Sequence, residues 1–262
     1  MIFSKGEQFL AFRYLKSRRE EGFISISAFF SLIGITLGVA TLIVVMSVMN
    51  GFRTELVNRI LGINGHLMIY SSDSNYVNDY NVIIKKIINF ENVLAITPQV
   101  EGQALARSKN LITGVMIRGS RWTDLPTKKL LWKSLSKEAK SNYQNKKQIL
   151  IGYRLARKLN VSVGDNLTLF SANGIVTALG LMPQKQSFVI GGLFNVGMYE
   201  YDENFIYLPW EKAESFLITS GKAHNLEIFI KNPRDTIKIK TLIEQEIDKS
   251  LKILDWKEKN NA

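Results

Sequence analysis

The sequence contains no cysteine and only two histidines among its 262 residues. Without cysteine the chain can form no disulfide, although this fits any compartment. His66 and His224 each lack a second histidine or a cysteine at the spacing of a metal site. We therefore expect both to be surface or hydrogen-bonded histidines, and we predict no metal site.

Sequence motifs for catalysis are also missing. Neither GxxxxGK[ST] nor GxSxG occurs, and Ser220-Gly221-Lys222 lacks the upstream glycine of a phosphate-binding loop. The acidic neighbours Glu200 and Asp202 fall in a polar stretch, where we expect them to be solvated. The chain is therefore predicted to have no catalytic residue and no cofactor, so that any ATP hydrolysis belongs to a partner.

Charge is unbalanced, with 34 Lys and Arg against 23 Asp and Glu. The excess is spread along the chain and forms no basic run with interleaved aromatic residues, so nucleic-acid binding is not expected. A spread excess is typical of a solvated surface, and it also suits an anionic membrane face or an acidic partner.

One long uncharged run is present, over residues 22–52. About 20 apolar residues cross the hydrocarbon core of a bilayer as a helix, so the run predicts a transmembrane helix. A buried helix of a soluble protein and a cleaved signal peptide are the alternatives, but a signal peptide's apolar core spans only about 7–15 residues. The uncharged stretch 166–184 is too polar and too rich in glycine to span.

The residues flanking this run predict its orientation. Five Lys or Arg lie within residues 1–21, whereas Arg53 and Arg59 follow the run with Glu55 between them. Because cations near a span stay on the cytoplasmic side, we expect the N-terminus inside and residues 53–262 outside. Residues 1–21 predict a cytoplasmic or interfacial amphipathic helix, with a disordered cationic tail as the alternative.

Small residues recur at a spacing of four within the run. Gly34 and Gly38 form a GxxxG pattern, and Ser27 and Ser31 have the same spacing earlier in the run. This spacing places the residues on one helix face, where two backbones can approach closely. We predict that Gly34 and Gly38 pack against partner helices.

Several segments of the N-terminal quarter resemble the LolC/LolE-type permeases, the membrane subunits of the lipoprotein-releasing ABC transporter of Gram-negative bacteria. The matching segments are Arg13-Tyr14-Leu15, SLIGITLG (31–38), SVMNGF (47–52), Glu55-Leu56 and Ile60-Leu61-Gly62. The resemblance continues more loosely to Asp255-Trp256. It implies one membrane helix, a periplasmic domain of the MacB-like periplasmic core type, and three further membrane helices. Since the chain stops where the second helix would begin, we expect a fragment, a truncated product or one half of a split gene.

The resemblance also implies a function. Such a subunit extracts lipoproteins from the outer leaflet of the inner membrane and passes them to a periplasmic carrier chaperone. Its partners would be an ATPase subunit, a second permease subunit that is identical or homologous, lipoprotein substrates and membrane lipid. The matching positions Met49 and Phe52 would line the lipid cavity. A single-span anchored binding or scaffold protein, an anchored envelope enzyme, and a MacB- or FtsX-type permease fragment remain alternatives.

The segment after the span mixes strand and helix patterns. This order predicts an α+β domain with two lobes. Alternation and helical periods predict strands over 67–70, 93–100, 102–107, 112–118, 148–151, 167–170, 187–194, 204–208, 226–230 and 251–254, and helices over 77–90, 153–159, 210–217 and 236–247, with a polar helix and loops over 123–143.

The uncharged stretch 166–184 has glycines near its middle, which favours a hairpin with a projecting tip. An ordinary hairpin folded onto the core is the alternative. In the resembling permeases a protruding hairpin at this place contacts the carrier, which implies that role for Gly180, Leu181, Met182, Pro183 and Gln184.

The predicted orientation can be tested by cysteine labelling, because the chain has no native cysteine. A cysteine at Ser4 should be shielded from an impermeant thiol reagent in intact spheroplasts, whereas one at Ser136 should be labelled. The opposite pattern would contradict the orientation.

Overall fold

A computed structural model describes residues 6, 7, 9, 10, 13, 22–177 and 180–261. For 22–25, 172–177, 180–182, 234 and 259–261 it describes the backbone alone. Most of the predicted amphipathic segment 1–21 thus lies outside the described residues. The chain divides into two compact units, Met1–Val57 and Asn58–Ala262.

A single long helix, α1, runs from Gly22 to Leu61. Among the described residues it is the one helix long and apolar enough to cross a membrane, judged by length and composition. It continues past the predicted end of the span at Phe52, through the charged residues that follow. The hydroxyls of Thr36 and Thr41 donate to the carbonyls four residues earlier, at 2.7 and 2.8 Å. These bonds satisfy the hydroxyls within the helix, as an apolar environment requires.

The predicted packing face of α1 is open in this chain. Among the described residues, no heavy atom would lie within 4 Å of a Cβ built on Gly34 or Gly38, outside the helix's own backbone and the adjoining residues. Met49 and Phe52 are likewise exposed. The roles of these four residues in helix packing and lipid contact stay predictions.

Nine strands build the second unit, as far as the structure describes it. They are β1 (Leu67–Ser71), β2 (Val93–Ser108), β3 (Leu111–Ser120), β4 (Ile149–Gly152), β5 (Asn166–Thr177), β6 (Gly180–Phe194), β7 (Phe205–Pro209), β8 (Asn225–Ile230) and β9 (Leu251–Asp255). In the described residues of this unit, eight α-helices accompany them, namely α2 (Tyr80–Ile87), α3 (Lys129–Ser134), α4 (Lys137–Asn145), α5 (Tyr153–Leu159), α6 (Tyr199–Asn204), α7 (Trp210–Leu217), α8 (Thr236–Glu246) and α9 (Trp256–Asn261).

The first lobe is an antiparallel sheet in the order β9-β1-β8-β2. Its chain order is β1-α2-β2 followed, after a long insertion, by β8-α8-β9, which is the double split βαβ of a ferredoxin-like lobe. The helices cover one face through buried Ile87, Ile239 and Ile243.

The second lobe is a closed ring of strands. The far half of β2 pairs with both β3 and β5, and the circle continues through β7, β4 and β6. Closure leaves no free sheet edge around the ring. Ala106, Ile117 and Leu169, contributed by three of its strands, are fully buried in the common core. Helices α3 and α4 contribute to a second apolar cluster with Leu150, Phe194 and Tyr207.

The predicted α+β class is confirmed, and the main difference lies in β2. The sequence predicts two strands on either side of Glu101, whereas the structure has one strand that belongs to both lobes. Gly102 sits in it because the Leu217 side chain of α7 fills the space, with its Cδ2 2.8 Å from where a Cβ would be. The short helix α6 was not predicted.

Candidate functional site

A two-stranded ribbon leaves the ring at the ends of β5 and β6. The pairing of β5 with β2 stops at Ser171, and β6 joins β4 only from Ile190 onward. Between these points the two strands pair with each other alone, out to Thr177 opposite Gly180. The register shifts between Phe170 and Gly174, where the ribbon departs. The predicted hairpin is therefore present and extends beyond the ring.

The proposed carrier-binding residues lie on the returning strand. Gly180, Leu181, Met182 and Pro183 pair with Thr177, Val176, Ile175 and Gly174 respectively. Residues 178 and 179 lie outside the described residues, and Leu181 and Met182, which were expected at the tip, are paired residues of the returning strand.

The two remaining residues of the set lie toward the base of the ribbon. Pro183 is exposed. A proline is tolerated here because a two-stranded ribbon has an unpaired edge on each side. The Gln184 side chain contacts α7, where its Nε2 donates to the Ser215 carbonyl at 3.3 Å. Gln184 therefore anchors the base of the ribbon.

An apolar groove of about 630 Å³ adjoins the base of the ribbon. Its walls include Leu105, Met116, Phe170, Phe205 and the ribbon residue Pro183. Pro183 therefore belongs both to the ribbon and to the groove, whose lining is mainly apolar and also includes Glu200.

A buried polar network holds the segment that follows α1. The Arg118 guanidinium donates to Asn64 Oδ1 at 2.8 Å, and Asn64 Nδ2 donates to the Tyr201 hydroxyl at 2.6 Å. Arg118 Nε also lies 3.0 Å from Glu101 Oε1. The guanidinium is 4.7 Å from the ring centre of Phe205, a cation–π distance.

Beside this network lies a fully buried ion pair. Lys128 Nζ contacts Glu227 Oε2 and donates to the Ile63 carbonyl at 3.3 Å. Burial lowers the pKa of the Lys128 ammonium, and the Glu227 carboxylate acts in the opposite direction. One ammonium therefore joins the exit of α1 to strand β8 of the first lobe.

Both histidines are hydrogen-bonded, as expected. His66 Nδ1 accepts from the Ile230 amide at 2.8 Å, and His224 Nδ1 accepts from the Glu101 amide at 3.2 Å. Burial, followed by the charge of Lys129, lowers the pKa of His66 to about 4. The imidazole is therefore neutral near pH 7. Over the described part of the chain, no group of three metal-ligating side chains comes together.

The expectation of a solvated Asp202 is wrong. Its side chain is buried, and its two carboxylate oxygens accept from the amides of Val196 and Gly197 at 2.8 and 3.1 Å. Asp202 thereby fixes the turn after β6. The helix that places it, α6, is too short to show a periodic pattern in the sequence.

Comparison with protein families identifies the fold. The family described as MacB-like periplasmic core domain matches residues 28–246. The chain belongs to this family.

Curated relatives of this MacB-like chain carry lipoprotein-release names. The lipoprotein-releasing system transmembrane protein LolC of Neisseria meningitidis serogroup B is 29% identical, over 98% of this chain and 62% of that protein. LolC of Xylella fastidiosa strain Temecula1 is 28% identical over 81% of this chain, and LolE of Haemophilus influenzae is 25% identical over 80%, each match covering 51% of the relative. The chain thus spans about half to three fifths of these relatives. The LolC/LolE resemblance is confirmed.

Two solved structures are also similar. The periplasmic region of MacB from Actinobacillus actinomycetemcomitans has a TM-score of 0.48 and 11% identity, over 77% of this chain and 94% of that one. The extracellular domain of the Gram-positive transporter YknZ has a TM-score of 0.47 and 11% identity, over 72% of this chain and 99% of that one.

The buried pair of this MacB-like domain gives a stability prediction. Lys128→Met should lower the free energy of unfolding by about 3–5 kcal/mol, because it leaves the Glu227 carboxylate buried without its counter-charge. The double variant K128M/E227M should be less destabilised than K128M. Urea unfolding of the full chain in detergent measures both.

The exposed pair Lys147–Glu211, at 3.3 Å, is the matched control. Lys147→Met should cost at most about 1 kcal/mol, since water screens exposed pairs. A Lys128→Met change as mild as Lys147→Met would contradict the structural role of the buried pair.

Proposed function

We propose that this chain is part of a membrane subunit of an ABC transporter that extracts lipoproteins from the outer leaflet of the bacterial inner membrane and passes them to a periplasmic carrier chaperone. The observation that supports this most is the match to LolC, which runs through both the apolar helix and the following domain over 98% of the chain. The related MacB- and FtsX-type permeases would use the same domain, but the relatives' names favour lipoprotein release.

The apolar helix suits a place within the membrane, with residues 1–21 in the cytoplasm and the domain in the periplasm. Met49 and Phe52 stand three residues apart, on one face of α1. A flexible thioether and an aromatic ring accommodate acyl chains without charge. Gly34 and Gly38 would let a helix of the second permease subunit approach closely.

The ribbon is the proposed contact for the carrier. It extends from the ring, and its uncharged tip adjoins Leu181 and Met182. A carrier that shields acyl chains offers an apolar cavity, which suits an uncharged projection. The groove next to Pro183 would extend the same contact toward the domain.

ATP hydrolysis would take place in a separate ATPase subunit. The role of this chain would be mechanical, since movement of α1 would reach the domain through the buried contacts at Asn64 and Ile63. Fully paired buried charges hold a segment in one position because any shift leaves a charge unpaired.

The carrier contact is tested with Leu181→Asp in the full chain. If Leu181 belongs to the contact, the variant should unfold within about 0.5 kcal/mol of the unmodified chain. Photo-crosslinking to the carrier should fall at least about thirtyfold, because a few apolar anchors dominate small interfaces.

Ile112→Asp is the matched control, since Ile112 is an exposed apolar residue on the neighbouring hairpin of β2 and β3. It should leave both stability and crosslinking unchanged. A large loss of stability for Leu181→Asp, or normal crosslinking by it, would reject the ribbon as the contact.

A further inference from the structure

A basic surface with two tryptophans lies next to the end of α1. We call it the lysine–tryptophan surface, and it consists of Lys129, Lys133, Lys137, Lys140, Trp122 and Trp132. Residues 128–147 contain seven lysines and a single acidic residue, Glu138. Lys128 belongs to the buried pair and Lys147 is paired with Glu211, so the remaining five lysines outnumber the one acidic residue of this segment.

Aromatic contacts join three members of this surface, Trp122, Trp132 and Lys140. The rings of Trp122 and Trp132 are 5.1 Å apart between centroids, and Lys140 Nζ lies 4.2 Å from the centre of the Trp132 ring. Within the part of the chain that the structure describes, Lys129, Lys133 and Lys137 are exposed and form no ion pair. Their charges thus face solvent beside two half-buried indoles.

The surface is fixed to the exit of α1. The Leu130 amide donates to the Gly62 carbonyl at 2.9 Å, and the Leu130 side chain fills the space where a Cβ of Gly62 would lie. At 1.5 Å per residue, the helical path from Phe52 to Gly62 is about 15 Å. A headgroup layer occupies about 5–8 Å of that path. The rest of the path is close to one Debye length at physiological ionic strength, so salt does not fully screen the attraction between the lysines and the headgroups.

We propose that the lysine–tryptophan surface binds the anionic phospholipid headgroups of the membrane from which α1 emerges. Each lysine near an anionic leaflet raises the affinity for that leaflet about fivefold. Indole rings prefer the interfacial layer of the membrane. Headgroup binding would hold α3 and α4, and with them the exit of α1, against the membrane. This role needs only membrane anchorage and stands independently of lipoprotein transfer.

The test uses the full chain in nanodiscs, with one cysteine introduced by Ser141→Cys on α4 and labelled with a fluorophore. The lipids carry a quencher on the headgroup and are either phosphatidylcholine alone or an equal mixture with phosphatidylglycerol. Quenching should be stronger in the mixture and should fall in 1 M salt, where the Debye length is about 3 Å.

Two triple variants distinguish binding by this surface from an effect of the overall positive charge of the chain. K129Q/K133Q/K137Q should lose the phosphatidylglycerol-dependent quenching, because the affinity of the surface for anionic lipid should fall about a hundredfold. K85Q/K86Q/K238Q removes three exposed lysines of the first lobe and should retain it. Unchanged melting temperatures show that both variants are folded.

The proposal would be overturned if quenching were equal with and without phosphatidylglycerol, or if it fell equally in both triple variants. A surface for an acidic protein segment would instead respond to soluble polyglutamate and not to phosphatidylglycerol. That result would also reject lipid binding.

Discussion

The buried ammonium of Lys128 is the constraint on which the arrangement of the domain depends. It lies between the turn after β3, the carbonyl of Ile63 at the exit of α1, and Glu227 on β8. Taking an ammonium and a carboxylate out of water costs several kcal/mol each unless they remain paired and hydrogen-bonded. The exit of α1 and both lobes are therefore held to one relative position, and Arg118 with Asn64 repeats the connection nearby.

Besides this ion pair, a shared strand connects the two lobes of the domain. Strand β2 runs through both sheets, so that its first half completes the ferredoxin-like lobe and its second half closes the ring. Closure removes the free edges of the ring except where β5 and β6 leave together as the ribbon. The uncharged stretch 166–184 thus lies in this ribbon, next to an apolar groove, while several exposed lysines lie near the end of α1. One surface suits an apolar partner and the other an anionic one.

Local patterns in the sequence predict much of this fold. Helices α5 and α7 begin and end at the predicted residues, because each has a clear periodic pattern, and Pro209 precedes α7 as it often does a first helical turn. The uncharged stretch predicts the hairpin, although the residues named for its tip lie on the returning strand because register is set by the pairing with β5.

Other features depend on contacts between distant residues. The continuity of β2 through Gly102 depends on Leu217, more than a hundred residues later in the chain. Burial of Asp202 depends on two amides of a turn, and the Lys128–Glu227 pair joins residues 99 positions apart. A lysine and a glutamate at such a distance are indistinguishable in sequence from solvated residues. Closure of the ring likewise follows from pairings that no local period encodes.

The role that we propose for this chain, as part of the membrane subunit of an ATP-driven transporter, can be tested by purifying the full chain from its native membranes in a mild detergent. We expect an ATPase and a second permease subunit to purify with it and the eluate to hydrolyse ATP. A chain that purifies alone, without ATP hydrolysis, would contradict the proposed role and favour a single-span anchored scaffold.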